Sequence, residues 1–209
     1  MKIDIGCGLN KHPGFWGIDR RPLQGVDLVW DLNDPIPLPD NSVEFVMASR
    51  SLPYVDNLNG LLSELYRMCV HTAVVCILAP YAHSFAHMSN PGLKHKFDEY
   101  TPKYLTPAFF QPSQSPVCPE LLYMPDAAPP FDFRLLRMEL FYQIPYAPPL
   151  YEMEELEVLK TLSVNVVQEI MYHLIVIKKP ITSTELEKLS RLTYPEANHA
   201  AALRTEPQP

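Results

Sequence analysis

The chain has 209 residues, enough to bury a core of useful size in one unit and few for two. Apolar residues make up 47% and charged residues 20%, and no apolar run approaches the roughly 20 residues that a membrane span needs. The formal net charge of −7 argues against an extended nucleic-acid surface, which needs a basic face. Lys94-His95-Lys96, the one basic cluster of the first half, reads as a solvated loop.

Met1-Lys2 runs straight into Ile3-Asp4-Ile5-Gly6, which leaves no room for a signal peptide and predicts a cytoplasmic protein. Cys7, Cys69, Cys76 and Cys118 form no C-x-x-C pair and are expected to be reduced packing residues. Five of the seven glycines (Gly6, Gly8, Gly14, Gly17, Gly25) fall in the first 25 residues, so the N-terminal edge is where backbone can approach a ligand closely. Eleven of the 23 prolines lie between Pro102 and Pro149, which predicts an irregular insertion, a lid or substrate-facing cap.

In chain order, the pattern predicts a strand at 2–5, a glycine loop at 6–14, and short strands at 15–19, 26–30 and 43–48. Leu58, Leu61, Leu62, Leu65 and Met68 follow the spacing of one helix face and predict a helix over 57–69. The continuous apolar run 73–79 suits a strand covered on both faces. Strands are expected again at 133–142 and 169–177, with a helix near 152–162 between them. A helical stretch from Ser183 to Leu192 follows, and the tail Thr205-Glu206-Pro207-Gln208-Pro209 is expected to be disordered. Strands alternating with helices or loops indicate an α/β doubly wound sheet, with its ligand at the carboxyl ends of the strands.

The first strand ends in Gly6-Cys7-Gly8, a turn that admits a ligand, but Lys11 stands where a dinucleotide fingerprint needs glycine or alanine. NAD and FAD are therefore disfavoured. The second strand ends in Asp19, whose carboxylate can accept both hydroxyls of an unphosphorylated ribose. The third ends in Trp30-Asp31-Leu32. Asp31 could accept an adenine amino group, or could start the turn Asn33-Asp34-Pro35.

Four segments in order carry a resemblance: Ile3-Asp4-Ile5-Gly6-Cys7-Gly8, Pro13-Gly14-Phe15-Trp16-Gly17-Ile18-Asp19, Val29-Trp30-Asp31-Leu32 and Leu38-Pro39-Asp40-Asn41-Ser42-Val43-Glu44. Together they resemble the class I S-adenosylmethionine-dependent methyltransferases, in particular the small bacterial type 11 branch, over about residues 2–80. The resemblance implies a Rossmann-like doubly wound sheet, mostly parallel, with an antiparallel C-terminal strand pair. It implies one domain over 1–180 with the insertion at about 81–149, followed by a C-terminal helix and tail over 181–209. The implied cofactor is S-adenosyl-L-methionine. Gly6 and Gly8 would line its methionine part and Asp4 would help hold the amino group through water. Asp19 would take the ribose, Asp31 and Leu32 the adenine, and Ser49 would face the methyl group.

Three positions depart from the family pattern. A short Pro13-Gly14 loop replaces the long helix between strands one and two, Glu44 replaces an aspartate, and Ser49-Arg50-Ser51-Leu52-Pro53-Tyr54 replaces a His-x-x-Glu-His-like stretch. Methyl transfer needs chiefly alignment and exclusion of water, so a catalytic residue need not stand out. His83, His95 and Tyr81 are candidates for a substrate-side base, with His87 and Tyr100 nearby. His83 and His87 lack a third ligand, so no metal is expected. The strand-four exit lacks the Asp/Asn-Pro-Pro-Tyr pattern of nucleobase amino methylation, and Cys118 is not in the setting of a cytosine nucleophile.

The expected function is methyl transfer to a small-molecule acceptor: a sugar, a lipid precursor or a secondary metabolite. A non-catalytic binding or scaffold module and a protein or RNA methyltransferase stay open as alternatives. Phe85, Phe97, Tyr100, Tyr104, Phe109 and Phe110 suit an apolar acceptor, a homodimer surface or simple packing of the insertion.

Overall fold

The structure, a computed structural model, describes residues 1–121, 123, 126–146 and 150–205, with Thr205 by its backbone alone. Among the described residues seven strands form one sheet: β1 Lys2–Ile5, β2 Trp16–Asp19, β3 Leu28–Val29, β4 Val43–Ser49, β5 Cys69–Pro80, β6 Phe133–Tyr142 and β7 Val167–Val176. Their order is β3-β2-β1-β4-β5-β7-β6. The pairs from β3 to β5 are parallel, and β7 runs antiparallel to both neighbours. The chain therefore has the Rossmann-like sheet, mostly parallel with an antiparallel C-terminal pair.

The helices are α1 Leu58–Met68, α2 Phe85–Ser89, α3 Thr101–Tyr104, α4 Met153–Leu162, α5 Ser183–Ser190 and α6 Asn198–Thr205. Asn57 caps α1 by accepting the Gly60 N–H at 2.9 Å. Leu61, Leu62, Leu65 and Met68 form its buried stripe. Strand β5 starts directly after α1 and is longer than the apolar run 73–79. His71 and Thr72 interrupt the hydropathy, yet Cys69 already pairs with Val43 across a bulge. The edge strand β3 is only two residues long, where the pattern predicts five.

Central strands bury alternate side chains on both faces. Ile3, Ile5, Val46, Ala48, Val75, Ile77, Tyr172 and Leu174 face one core, which α1 and Phe97, Leu105 and Phe131 cover. Phe45, Met47, Val74, Cys76, Leu78, Met171 and Ile175 face a second core. That second face is covered by Phe15 from the β1–β2 loop and by the C-terminal segment, through Leu186, Ala197, Ala200 and the partly buried Leu203. A buried leucine contributes about 2 kcal/mol, so two bare sheet faces could not persist.

The described residues of 81–132 are largely irregular, with α2 and α3 short. The segment is tied down rather than loose. Tyr81 and Phe97 form an isolated bridge, the Tyr172 hydroxyl donates to the Asp98 carbonyl at 2.6 Å, and Phe97 is 1% exposed. Residues 133–142, inside the span 81–149, form β6 of the sheet. Helix α6 was not legible in the sequence; the tail residues 206–209 lie outside the described residues. All four cysteines are free and buried. Among the described residues no helix is long and apolar enough to cross a membrane.

One buried polar knot fastens this segment to α4. The Tyr81 hydroxyl donates to Glu99 at 2.7 Å, and the Lys160 ammonium pairs with Glu99 on its other oxygen. The side chains of Glu99 and Lys160 are 5% and 11% exposed. Removing one partner of such a pair strands a desolvated charge, whereas an apolar replacement of both does not. Glu99→Ala is expected to cost about 3 kcal/mol in urea unfolding, and Glu99→Leu with Lys160→Met and Tyr81→Phe to recover most of it.

Candidate active site

The site begins where β1 ends. Ile3 and Ile5 face the first core, so Asp4 points to the opposite face, the one the C-terminal segment covers. Asp4 is 2% exposed. Its Oδ2 accepts the His12 N–H at 2.7 Å, while Oδ1 is buried without a partner. Burial pushes its carboxyl up to about 6, against the lowering effect of the His12 N–H.

Gly6 turns the chain with φ +63°, and a Cβ there would lie 2.3 Å from Ser51 Cβ. The Gly6 and Cys7 N–H groups both donate to the Ile18 carbonyl, at 2.7 and 3.3 Å. This brings the ends of β1, β2 and β4 together. Gly8, with φ +54°, donates its N–H to Asp19 Oδ2 at 2.9 Å.

Asp19 at the tip of β2 is 6% exposed and holds two backbone N–H groups, Gly8 on Oδ2 and Arg21 on Oδ1, each at 2.9 Å. A carboxylate oxygen offers about two acceptor positions, so both oxygens retain capacity for a ligand. Asp31 Oδ1 accepts the Asn33 N–H and side-chain amide, both at 2.9 Å. The turn reading of Asp31 is thus realised, and its other oxygen stays available to a ligand in the cavity that it lines.

The β4 exit carries Ser49, Arg50 and Ser51. Arg50 has φ +55°, a strained conformation for a side-chain-bearing residue. Two sets of bonds hold it there. Its N–H donates to the Leu78 carbonyl at 2.7 Å, and its guanidinium grips Glu169 at 3.1 and 2.5 Å. Glu169, near the start of β7, is 5% exposed and is held by this two-pronged contact.

Two cavities open at these strand ends. The first, about 370 Å³, is lined by Asp19, Asp31, Leu32 and Val55 among others. The second, about 330 Å³, is lined by Asp4, Gly8, Ser49, His12 and the Ala197-Asn198-His199 stretch. Gly6, Arg21 and Arg50 line both, so the two cavities share a wall. Every residue that the resemblance gives to the cofactor (Asp4, Gly6, Gly8, Asp19, Asp31, Leu32, Ser49) lines one or the other.

The base candidates lie elsewhere. Tyr81 is 5% exposed and fixed on Glu99, where burial and that carboxylate push its hydroxyl far up. His83 is exposed and packs its ring on Tyr81. His95 Nε2 is 2.9 Å from the Val55 carbonyl. His87 is buried, and burial lowers its pKa. None of the four lines either cavity. Among the described residues no three His, Cys, Asp or Glu side chains gather where a metal could sit.

The residues that the sequence did not disclose are Arg21, Arg50, His12, Asn198 and His199. His12 follows the glycine turn and could have been suspected from its place. Asn198 and His199 are some 190 residues from Gly8, and only the fold brings them in.

No protein-family model matches the chain, and no curated protein matches it. Solved structures do. A SAM-dependent methyltransferase from Archaeoglobus fulgidus is similar at 19% identity and TM-score 0.53, over 83% of this chain and 85% of that one. The YcgJ protein from Bacillus subtilis is similar at 10% identity and TM-score 0.50, over 86% of this chain and 92% of that one. The [4+2]-cyclase SpnF is similar at 12% identity and TM-score 0.51, over 84% and 75%. Together with the strand order, these place the chain in the fold of the class I S-adenosylmethionine-dependent methyltransferases.

The two glycines of the turn differ in what surrounds them. Gly6→Ala meets both an unfavourable φ and the Ser51 side chain, whereas Gly8→Ala meets only the end of Arg21 at 3.8 Å. Calorimetric melting should show Gly8→Ala losing about 1 kcal/mol and Gly6→Ala at least about 2–3 kcal/mol.

Proposed function

We propose that this chain binds S-adenosyl-L-methionine across the two joined cavities and passes its methyl group to a small-molecule acceptor. The observation that carries the reading is the shared wall at Gly6, Arg21 and Arg50, around which all seven residues of the resemblance are gathered. The residues also fit the group chemically. The partnerless Asp4 Oδ1 suits an ammonium, Asp19 has acceptor capacity for two ribose hydroxyls, and Gly6 leaves the space that a Cβ would fill.

When bound, the cofactor supplies a methyl group activated by its sulfonium. The protein's part is to bind, orient and exclude water. Asp19 would hold the ribose, Asp31 and Leu32 the adenine edge, and Asp4 with Gly6 and Gly8 the amino-acid arm. Ser49 would face the transferred group. The Arg50 guanidinium lies on the shared wall, and its fork on Glu169 offsets a charge that would otherwise oppose a sulfonium.

A small acceptor is supported by charge. The chain carries −7, and beside the site Lys11, Arg21 and Arg50 each pair with a carboxylate, which leaves Arg20 on the first cavity's wall as a cation without an ion pair among the described residues. A single uncompensated cation is not the basic face that a polyanion needs. The described part of the Pro-rich segment would act as a packed cap rather than a mobile lid, since Phe97 is in the core.

Asp4 makes the reading testable by pH. A carboxyl raised to about 6 keeps its proton to higher pH in the folded chain than in the unfolded one, where the ordinary value is 3.8. The folded state therefore binds more protons between about 4 and 6, and Asp4 makes stability decline as pH rises through that window. A cationic ligand arm needs the ionised form. Isothermal titration with S-adenosylmethionine should show affinity rising from pH 5 to pH 7, and Asp4→Asn should flatten that rise. Asp19→Ala should weaken binding at least about 30-fold at pH 7, by loss of two charge-assisted hydrogen bonds. Absence of binding by the wild type at pH 7 would contradict the proposal.

A further inference from the structure

The second cavity has one wall that the β1 turn does not supply. It consists of Ala197, Asn198 and His199, at the start of α6. The seven residues of the resemblance all come from the first 49 positions, so this wall is an addition of the C-terminal segment.

Its position follows from packing. Ala197 and Ala200 are 3% and 0% exposed and sit in the second core, and their small side chains let α6 lie close against the sheet. Arg204 bonds Glu139 at 2.6 and 2.5 Å and Glu196 at 2.6 Å, and Arg137 pairs with Glu196 at 3.3 Å. His173 lies 3.0 Å from the Pro195 carbonyl and stacks on Tyr194. At the other end, the Asn198 amide donates to the Asn10 carbonyl at 3.1 Å, and the Asn10 amide nitrogen lies 3.4 Å from His199 Nε2. The helix start is thus fixed against the glycine loop.

Two independent features of this cavity have complementary charge preferences. At the start of α6 the Ala200 N–H turns back to the Ala197 carbonyl at 2.8 Å, which leaves the Asn198 and His199 N–H groups as the helix-end donors whose partial positive charge favours an anion. The Asn10 amide nitrogen lies 3.4 Å from His199 Nε2, and the second ring nitrogen adds hydrogen-bonding capacity to this wall. On the β1 side stands Asp4, 2% exposed, with Oδ1 lacking any partner. A cavity with a donor-bearing wall and a partnerless carboxylate suits a zwitterionic amino acid, ammonium toward Asp4 and carboxylate toward α6.

We infer that the start of α6, with Asn198 and His199, binds the carboxylate of the cofactor's amino-acid arm, making the C-terminal segment part of the active site. The inference rests on the proposed function and adds to it a subsite built from the far end of the chain. It also gives the short β1–β2 loop a functional counterpart, because the segment that covers the sheet face left bare by that loop also reaches the ligand.

The test uses the full chain and two probes that differ only in that carboxylate: S-adenosylmethionine and decarboxylated S-adenosylmethionine. Both are titrated into wild type, His199→Ala and Asn198→Ala, with melting temperature recorded for each. The expected result is that wild type prefers the intact probe and that His199→Ala loses about tenfold affinity for it, the size of one hydrogen bond to a charged group. Affinity for the decarboxylated probe should change less than about twofold. Equal wild-type affinity for both probes would overturn the subsite while leaving cofactor binding intact. So would a variant that weakens both probes alike, because α6 would then act on folding only. Failure of the wild type to bind either probe would overturn the proposed function itself, and the subsite with it.

Discussion

The architecture depends on one constraint: the central strands bury apolar side chains on both faces, so both faces must be covered. On the first face α1 and the Pro-rich segment do this. On the second, the connection from β1 to β2 is only about ten residues and contributes Phe15 rather than a helix. The C-terminal segment supplies the rest, with Leu186, Ala197 and Ala200 against Met47, Cys76, Leu78 and Met171. Because Asp4 points to that same face, covering the sheet also brings α6 to the strand ends. The same segment therefore covers the sheet and lines the second cavity.

The site itself is assembled by backbone before side chains. Gly6 lets β1 end against Ser51, Gly8 turns its N–H onto Asp19, and the Ile18 carbonyl receives two N–H groups from the turn. Arg50, held in a strained φ by Glu169 from β7, fixes the wall between the two cavities. The parallel half of the sheet is thereby linked to its antiparallel end. A fold of this kind does not dictate its chemistry: a methyltransferase from Archaeoglobus fulgidus and the [4+2]-cyclase SpnF are both similar to this chain. What distinguishes the reading offered for this chain is the placement of Asp4, Asp19 and Asp31 around the cavities.

Much of this was legible in the sequence where the signal is local. The apolar strands, the Leu58–Met68 stripe and the carboxylates at strand tips are read from patterns a few residues long. Asp31 shows the limit of that approach: it closes a turn with Asn33 and also lines the first cavity, so the turn does not decide against a ligand role. The start of β5 was obscured by His71 and Thr72, where strand pairing overrides hydropathy. The aromatic content of the Pro-rich segment fitted a ligand surface, a dimer surface or packing alike, and at Phe97 it is packing that the structure shows. The loop histidines looked chemically apt, yet His83 and His95 lie off the cavities, while His12, next to the glycine turn, and His199, brought in only by tertiary structure, lie on one. Helix α6 carries a weak apolar pattern of small alanines, which is why its role could not be seen from residues alone.

The most direct test of the account is a crystal structure of the protein with S-adenosylhomocysteine. The account predicts one ligand spanning both cavities, adenine beside Asp31 and Leu32, ribose on Asp19 and the amino-acid arm beside Asp4. A ligand bound away from Asp19, or crystals in which both cavities stay empty at saturating ligand, would contradict it.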